Sequence, residues 1–195
     1  MPNHVHIPDD IAELYEVHDY RHAAAILACE FPDAANEVFH ALRTFRFTEQ
    51  QIVAAGGNES PIPKEFSKIL RPMGWKEAKL NAKLVIDEEA ISADTHKIDY
   101  LKDRIAFDLE WNSKDQTFDR DLYAFRAFFD YSRISVGVLV TRSQQLDPLF
   151  HHLNIHTKYG ASTTHIGKLL PRLQAGRSGG CPVLVFGITE KLLSR

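Results

Sequence analysis

The amino-acid sequence predicts an α/β protein built around a mixed β-sheet. Three observations indicate this class: helical periodicity in the first half, a strictly alternating segment in the middle, and a strand, helix and strand in succession after it. The chain has 195 residues, of which 44% are hydrophobic and 25% are charged, as is typical of one compact domain. We therefore expect a single domain over residues 1–195, mainly helical in 1–95, with a strand-helix-strand core in 96–142 and a further region in 143–195.

Amphipathic helices are predicted in the first half. Residues 33–47 place apolar side chains at i, i+4, i+7, i+8 and i+11, directly after a proline. A glycine-rich loop follows at residues 55–61, and Pro63 then opens a second helix that should end before Met73 and Gly74. We interpret residues 75–80 as one further helical turn.

The period changes in the middle of the chain. Residues 105–112 alternate apolar and polar side chains, which predicts a strand with one apolar face and one acidic face. Residues 96–101 can pair with it across a turn at residues 102–104. Thr117 can cap a helix that follows, and a buried strand at residues 134–141 completes the predicted β-α-β unit.

Shorter elements are predicted in the last part of the chain. Residues 147–156 favour a helix, residues 164–173 favour a short helix after a loop, and residues 182–188 favour a final strand. Together with the β-α-β unit, they complete the prediction of a mixed sheet flanked by helices.

The acidic face of the predicted central strand indicates a metal site. Asp108 and Glu110 are two residues apart on a strand, so their side chains point the same way, about 7 Å apart. Asp99, on the partner strand, would add a third carboxylate. Three neighbouring acids resist ionising together unless a cation neutralises them, and oxygen ligands with room for water favour Mg²⁺ over zinc. The alternative is a solvated outer face of a half-exposed strand.

A longer pattern narrows this choice. The segment from Asp99 to Leu122 reads Asp-x8-Asp-x-Glu-Trp-Asn-Ser-Lys-Asp-Gln, with Asp-Arg-Asp-Leu after it. It resembles type II restriction endonucleases related to BglII and BamHI, members of the PD-(D/E)XK nuclease superfamily, and the resemblance extends to residues 74–77, 160–168 and 179–187. It implies a restriction-endonuclease-like fold and a homodimer that hydrolyses a short palindromic site in double-stranded DNA, with Mg²⁺ as cofactor and 5′-phosphate products.

The resemblance also implies roles for individual residues. Asp99 and Asp108 match metal ligands of the superfamily, and Glu110 stands where most members have lysine but BamHI has glutamate. Glu77 matches an additional acidic or polar residue that reaches the site from an N-terminal helix. The superfamily pattern has a proline before the aspartate that Asp99 matches, whereas Ile98 precedes it in this chain. Lys114 could replace the missing lysine near the attacking water, provided that the strand continues that far.

The distribution of charge indicates which end of the chain could meet DNA. The net charge is −3, but residues 1–41 contain eight acids and one base, whereas residues 142–180 contain five bases and one acid. The basic end could face a polyanion, or both ends could simply be solvated. Candidates for contacts with phosphates or base edges, lying between a glycine loop and a helix, are Ser162, Thr163, Thr164, His165 and Lys168. The alternative for Ser162 or Thr163 is a helix cap.

Other classes of function are disfavoured. Cys29 and Cys181 lack a CxxC partner, so we expect reduced thiols and no cysteine zinc site. His152 and His156 lack the acid of an HExxH motif, and the glycine run after Arg177 lacks the P-loop lysine, so no nucleotide cofactor is expected. The absence of a signal-peptide pattern and of a membrane-spanning apolar run leads us to expect a cytoplasmic protein. A catalytically silent DNA-binding protein and a structure-specific DNA or RNA nuclease stay open as alternatives.

Overall fold

The computed structural model describes residues 5–54, 60–81, 83–87, 89–92 and 96–194. The strands are β1 (Tyr15–Tyr20), β2 (Lys76–Leu80), β3 (Lys83–Ile86), β4 (Glu89–Ser92), β5 (His96–Lys102), β6 (Ile105–Glu110), β7 (Val136–Arg142) and β8 (Val183–Ile188). The α-helices are α1 (Asp9–Leu14), α2 (Ala23–Glu30), α3 (Pro32–Thr44), α4 (Glu49–Val53), α5 (Pro61–Leu70), α6 (Thr117–Asp130), α7 (Asp147–His152) and α8 (Ile166–Gln174). Short 3-10 helices lie at Arg71–Met73, Gln144–Leu146 and Glu190–Leu192.

Six strands form one mixed sheet in the order β1, β8, β7, β6, β5, β2. Strands β6, β7 and β8 are parallel to one another, and β1, β5 and β2 join them in antiparallel pairs. Helix α6 carries the chain from β6 to the parallel strand β7, as the predicted β-α-β unit requires. Strands β3 and β4 form a separate antiparallel hairpin.

Each face of the sheet is covered by its own hydrophobic cluster. Phe107 and Leu109 of β6 point into the larger cluster with helices α1, α3 and α5. Ala106 of the same strand points into a second cluster with α6 and α8. Helix α6 lies close to the sheet because Gly137 of β7 has no side chain: a Cβ there would be 2.6 Å from the ring of Phe125. No helix within the described residues is both long and apolar enough to cross a membrane.

The first half contains strands that the sequence analysis did not predict. Residues 15–20 are β1, an edge strand paired with β8. Residues 76–80 are strand β2, so the predicted helical turn at 75–80 is wrong. Gly74, at φ 91°, ends the preceding 3-10 turn and redirects the chain, and β2 then pairs with β5. Long-range pairing decides the conformation here: Lys, Glu, Ala and Leu all favour helices, but a segment of five residues is too short to hold a helix without tertiary contacts.

Several predicted elements are present with shifted ends. The helix predicted at 33–47 is α3, and the one opened by Pro63 is α5, which begins two residues earlier at Pro61. The strand predicted at 105–112 ends at Glu110, and the helix predicted at 147–156 ends at His152. The predicted cap at Thr117 is wrong, because Thr117 is the first residue of α6 and Gln116 stands at the N-cap. Most of the loop predicted at 55–61 lies outside the described residues.

Candidate active site

The predicted acids lie where strands β5 and β6 part. Main-chain pairing of these strands runs from the turn as far as Tyr100 opposite Phe107. At the next step, the amide of Asp99 donates to the Oδ1 atom of Asp108 at 2.7 Å, so a carboxylate takes the place of a main-chain acceptor. The alternation of faces also breaks here, because Ile98 joins the second cluster while Tyr100 joins the first. The sheet therefore brings Asp99 and Asp108 into direct contact at the point where it opens.

A cleft of about 480 Å³ lies at this opening. Glu77 of β2, Asp99 of β5 and Glu110 of β6 contribute to its wall. Asp108 is only 4% exposed and sits next to Asp99, with which it hydrogen-bonds. The structure thus brings all four predicted acids to one end of the sheet.

Burial and crowding raise the pKa values of three of these acids. Desolvation is the main cause for Asp108, whose pKa is raised well above its usual value, and the nearby charge of Asp99 adds to the rise. Desolvation likewise raises the pKa of Glu110, against hydrogen bonds from neighbouring side chains. Desolvation also raises the pKa of Asp99, although the charge of Lys97 opposes the rise. The carboxylates lack enough compensating positive charge, as expected of a site that receives a cation.

Glu77 reaches the cleft from a strand and not from the predicted helix. The register of β2 against β5 shifts between Lys76 and Ala78, so Glu77 sits at a bulge. Bulges re-aim side chains and occur often beside active sites. Glu77 forms an ion pair with Lys97 of β5, which also lines the cleft.

The positive charge near the acids does not come from the predicted lysine. Strand β6 ends at Glu110, so the condition under which Lys114 would face the attacking water is not met. Lys114 is exposed and forms a β-bridge with Thr163. Lys97 is the lysine beside the acids instead: it stands two residues before Asp99 and pairs with Glu77. The sequence analysis missed it because the search for a lysine followed β6 and not its neighbour.

A third buried carboxylate, Asp121 of α6, was also missed. It is 3% exposed, and its pKa is raised well above the usual value by desolvation and by the charges of Glu110 and Asp108. Arg120 donates to Oδ1 of Asp121 at 3.0 Å and to Oε1 of Glu110 at 3.4 Å. A signal was present in the sequence, because Asp121 lies on the apolar stripe of its helix, three residues after Phe118.

The donor set fits Mg²⁺ by its chemistry. All candidate ligands are carboxylate oxygens, and Oδ2 of Asp108 is buried with no hydrogen-bond partner in the described part of the chain. Among the described residues, however, no three His, Cys, Asp or Glu side chains are gathered tightly enough to hold an ion alone. Mg²⁺ is usually bound by one or two carboxylates and completes its shell with water and substrate phosphate. The predicted three-carboxylate set is therefore not preassembled, and the site fits an ion that completes its shell with water or, when DNA is bound, with phosphate oxygens.

The residues predicted to contact DNA differ in accessibility. Ser162 is exposed, and His165 and Lys168 are partly exposed. Thr164 is fully buried, so its side chain cannot reach DNA in this conformation. The hydroxyl of Thr163 donates to the carbonyl of Gly160 and accepts from Arg142. The N-cap of α8 is His165, so neither Ser162 nor Thr163 occupies the predicted capping position.

A mixed sheet with helices on both faces, and a carboxylate-lined cleft where two of its antiparallel strands part, defines a restriction-endonuclease-like α/β protein. The chain belongs to the family described as restriction endonuclease BglII/BglIII, whose model matches residues 15–188. This match spans the sheet from the start of β1 to the end of β8 and confirms the resemblance seen in the sequence. The protein is accordingly a type II site-specific deoxyribonuclease, a hydrolase. A search of the curated proteins found no match.

Proposed function

We propose that the protein cleaves a short palindromic site in double-stranded DNA, requires Mg²⁺, acts as a homodimer and leaves 5′-phosphate ends. The observation that carries this proposal is the contact between Asp99 and Asp108 at the opening of the sheet, which leaves one oxygen of Asp108 without a partner among the described residues. An uncompensated carboxylate oxygen is costly in a protein interior unless a ligand completes it.

Asp108, Asp99 and Glu110 would hold the metal. When bound, Mg²⁺ would lower the pKa of a water at the site and stabilise the negative charge that develops on the scissile phosphate. The carboxylate of Glu110 lines the cleft and can orient the attacking water by accepting its hydrogen bond. Arg120 of helix α6 bridges Glu110 and Asp121 and so helps to hold Glu110 in place.

Lys97 is the side chain best placed to meet the scissile phosphate. It lines the cleft beside Asp99, and its partner Glu77 is half exposed, as is Lys97 itself. An exposed ion pair of this kind contributes little stability, so exchanging the carboxylate of Glu77 for a DNA phosphate costs little. Lys97 would thereby take over the electrostatic role that the superfamily gives to the lysine replaced here by Glu110.

The dimer follows from the symmetry of the proposed substrate. A palindrome offers two equivalent half-sites related by a two-fold axis, and one cleft serves only one strand, so two copies of the chain are needed. The exposed and partly exposed residues Ser162, His165 and Lys168 would contact the duplex at each half-site.

Cleavage of plasmid or phage DNA tests this function. With Mg²⁺ the protein should give discrete fragments, and with EDTA it should give none. Sequencing the fragment ends should show one site and a 5′-phosphate. Cleavage only of branched or single-stranded substrates would instead indicate a structure-specific nuclease. Binding of DNA without cleavage under any divalent metal would indicate a catalytically silent relative.

A further inference from the structure

The loop at residues 159–165 is joined by its main chain to the segment that follows the catalytic strand. The amide of Thr164 donates to the carbonyl of Ser113 at 3.0 Å, and the amide of Asp115 donates to the carbonyl of Ser162 at 3.0 Å. Lys114 and Thr163 form a β-bridge between these two bonds. The 159–165 loop and the segment after Glu110 therefore form one small two-stranded unit, and a displacement of either one displaces the other.

Arg142, the last residue of β7, also holds the 159–165 loop. Its guanidinium donates to the carbonyl of Thr164 at 2.8 Å, to the carbonyl of Tyr159 at 3.1 Å, and to the hydroxyl of Thr163. All three acceptors belong to the loop. The guanidinium also lies over the rings of Phe150 and Tyr159, with its central carbon 5.6 and 5.4 Å from the ring centroids.

Because Arg142 is buried, the loss of any one of these contacts would be costly. The residue is 1% exposed, and the nearest carboxylate oxygen, on Asp147, is 3.7 Å away. Burial lowers the pKa of Arg142 to about 10, so the side chain is still charged at neutral pH. A buried cation that depends mainly on neutral acceptors needs each of them, because losing one leaves a charged donor unsatisfied. The planar fork of arginine fixes the positions of several carbonyls at once.

The neighbouring residue, Thr141, contacts the catalytic strand. Its hydroxyl donates to the carbonyl of Glu110 at 2.7 Å, and the two residues lie opposite each other in the parallel ladder. The end of β7 therefore contacts the backbone of Glu110 through one residue and the 159–165 loop through the next.

We propose that Arg142 is a positioning residue that couples the contact between the 159–165 loop and DNA to the placement of Glu110 at the metal site. The inference rests on the proposed function, because it requires the loop to meet the duplex through Ser162 and its neighbours. A DNA site that seats the loop correctly places Glu110 for hydrolysis. A site with a wrong base shifts the loop, and the shift reaches Glu110 through the Ser113 and Thr141 contacts.

The test compares Arg142→Lys with the wild type on the cognate site and on sites with one changed base pair. Lysine keeps the charge but cannot occupy the three acceptors in one plane. We expect kcat on the cognate site to fall by about 10- to 100-fold, since small displacements of a reacting group cost this much. The ratio of cognate to changed-site cleavage should fall as well, while affinity for non-specific duplex stays at the wild-type value because phosphate contacts carry it.

Two further variants keep the test sharp if Arg142→Lys folds poorly. Thr141→Val removes the hydroxyl that donates to Glu110 and leaves the Arg142 contacts intact, and it should lower kcat without changing non-specific binding. Arg104→Lys is the matched control, since Arg104 donates to Ser135 on the surface near the closed end of the β5–β6 pair. It should behave as the wild type.

The outcomes separate this inference from the function on which it rests. Wild-type kcat and discrimination in Arg142→Lys and in Thr141→Val would overturn the inference and leave the nuclease intact. So would a loss of kcat that merely follows the fraction of protein unfolded in a thermal melt, since Arg142 would then only stabilise the fold. A wild-type protein that cuts no DNA under any metal refutes the proposed function first, and this inference with it.

Discussion

Acidic side chains at the two ends of the β5–β6 strand pair differ in how fully they are hydrogen-bonded. Near the closed end, Glu37 of α3 accepts hydrogen bonds from Lys102 at 2.6 and 2.7 Å and from the indole of Trp75 at 2.8 Å. At the open end, Asp108 accepts one bond from a backbone amide, and its other oxygen has no partner within the described chain. One carboxylate is compensated by the fold, and the other is left for a ligand. The same strand pair therefore has a structural acid near one end and acids available to a ligand at the other.

The strongest test of this contrast replaces Asp108 by Asn. The variant loses a ligand charge that we assign to the metal, so cleavage should fall by about 10³-fold or more, as when a main electrostatic group of an active site is removed. Its affinity for DNA in the absence of metal should be kept. Substantial cleavage by Asp108→Asn would show that the open end does not carry the chemistry.

The acids at the open end also predict how stability depends on pH. The pKa of Asp108 is raised in the folded protein, so its contribution to stability is complete below the unfolded value of 3.8 and is lost as the pH rises through the folded value. Asp108→Asn should therefore match the wild type near pH 3 and exceed it increasingly towards neutral pH. Urea unfolding of both proteins across this pH range measures the difference in their free energies of unfolding. A difference that does not change with pH would contradict the raised pKa of Asp108.

Mg²⁺ should reduce the difference in free energy of unfolding between Asp108→Asn and the wild type at neutral pH. An ion that binds the folded state and not the unfolded state raises the free energy of unfolding by mass action. Because Asp108→Asn lacks one ligand charge, Mg²⁺ should raise its free energy of unfolding by less than that of the wild type. Equal stabilisation of both proteins by Mg²⁺ would place the ion elsewhere.

Much of the open end could be predicted because its signals are local. Asp108 and Glu110 follow from strict alternation along one strand, and Asp99 follows from its position on the adjacent strand. The β-α-β unit follows from the order and length of its elements. The matching segment from residue 99 to residue 122 then indicated the family, which the family model confirms.

The rest depended on contacts between distant segments. Strand β2, which carries Glu77, takes its conformation from pairing with β5 and not from its own sequence. Lys114 was expected in the site because the strand was extended too far, whereas the chain after Glu110 bends to pair with the 159–165 loop. Asp121 sits on an apolar helix stripe, and only the packing of that stripe on the sheet shows that the residue reaches Glu110.

A smaller effect is expected at Lys97, which lies in the cleft beside the uncompensated acids. Lys97→Gln should lower kcat/KM by about tenfold, corresponding to one charge-assisted contact with phosphate. It should also reduce the salt dependence of DNA binding by about one charge. The matched control is Lys68→Gln, since Lys68 forms a comparable exposed ion pair with Glu65 on α5. Equal effects of the two substitutions would assign Lys97 to general surface charge.

The smallest effect is expected at the closed end and has the opposite sign from that of Asp108→Asn at neutral pH. Glu37→Gln removes the charge that compensates Lys102 while keeping the size of the side chain. Both partners of the ion pair are about one-quarter exposed, so solvent screens the loss, and unfolding should become easier by only about 1 kcal/mol. Cleavage by the folded protein should be unchanged, because Glu37 compensates a structural lysine and not the metal site. If Glu37→Gln instead stabilised the protein at neutral pH, the two ends of the strand pair would not differ in the way their hydrogen bonds indicate.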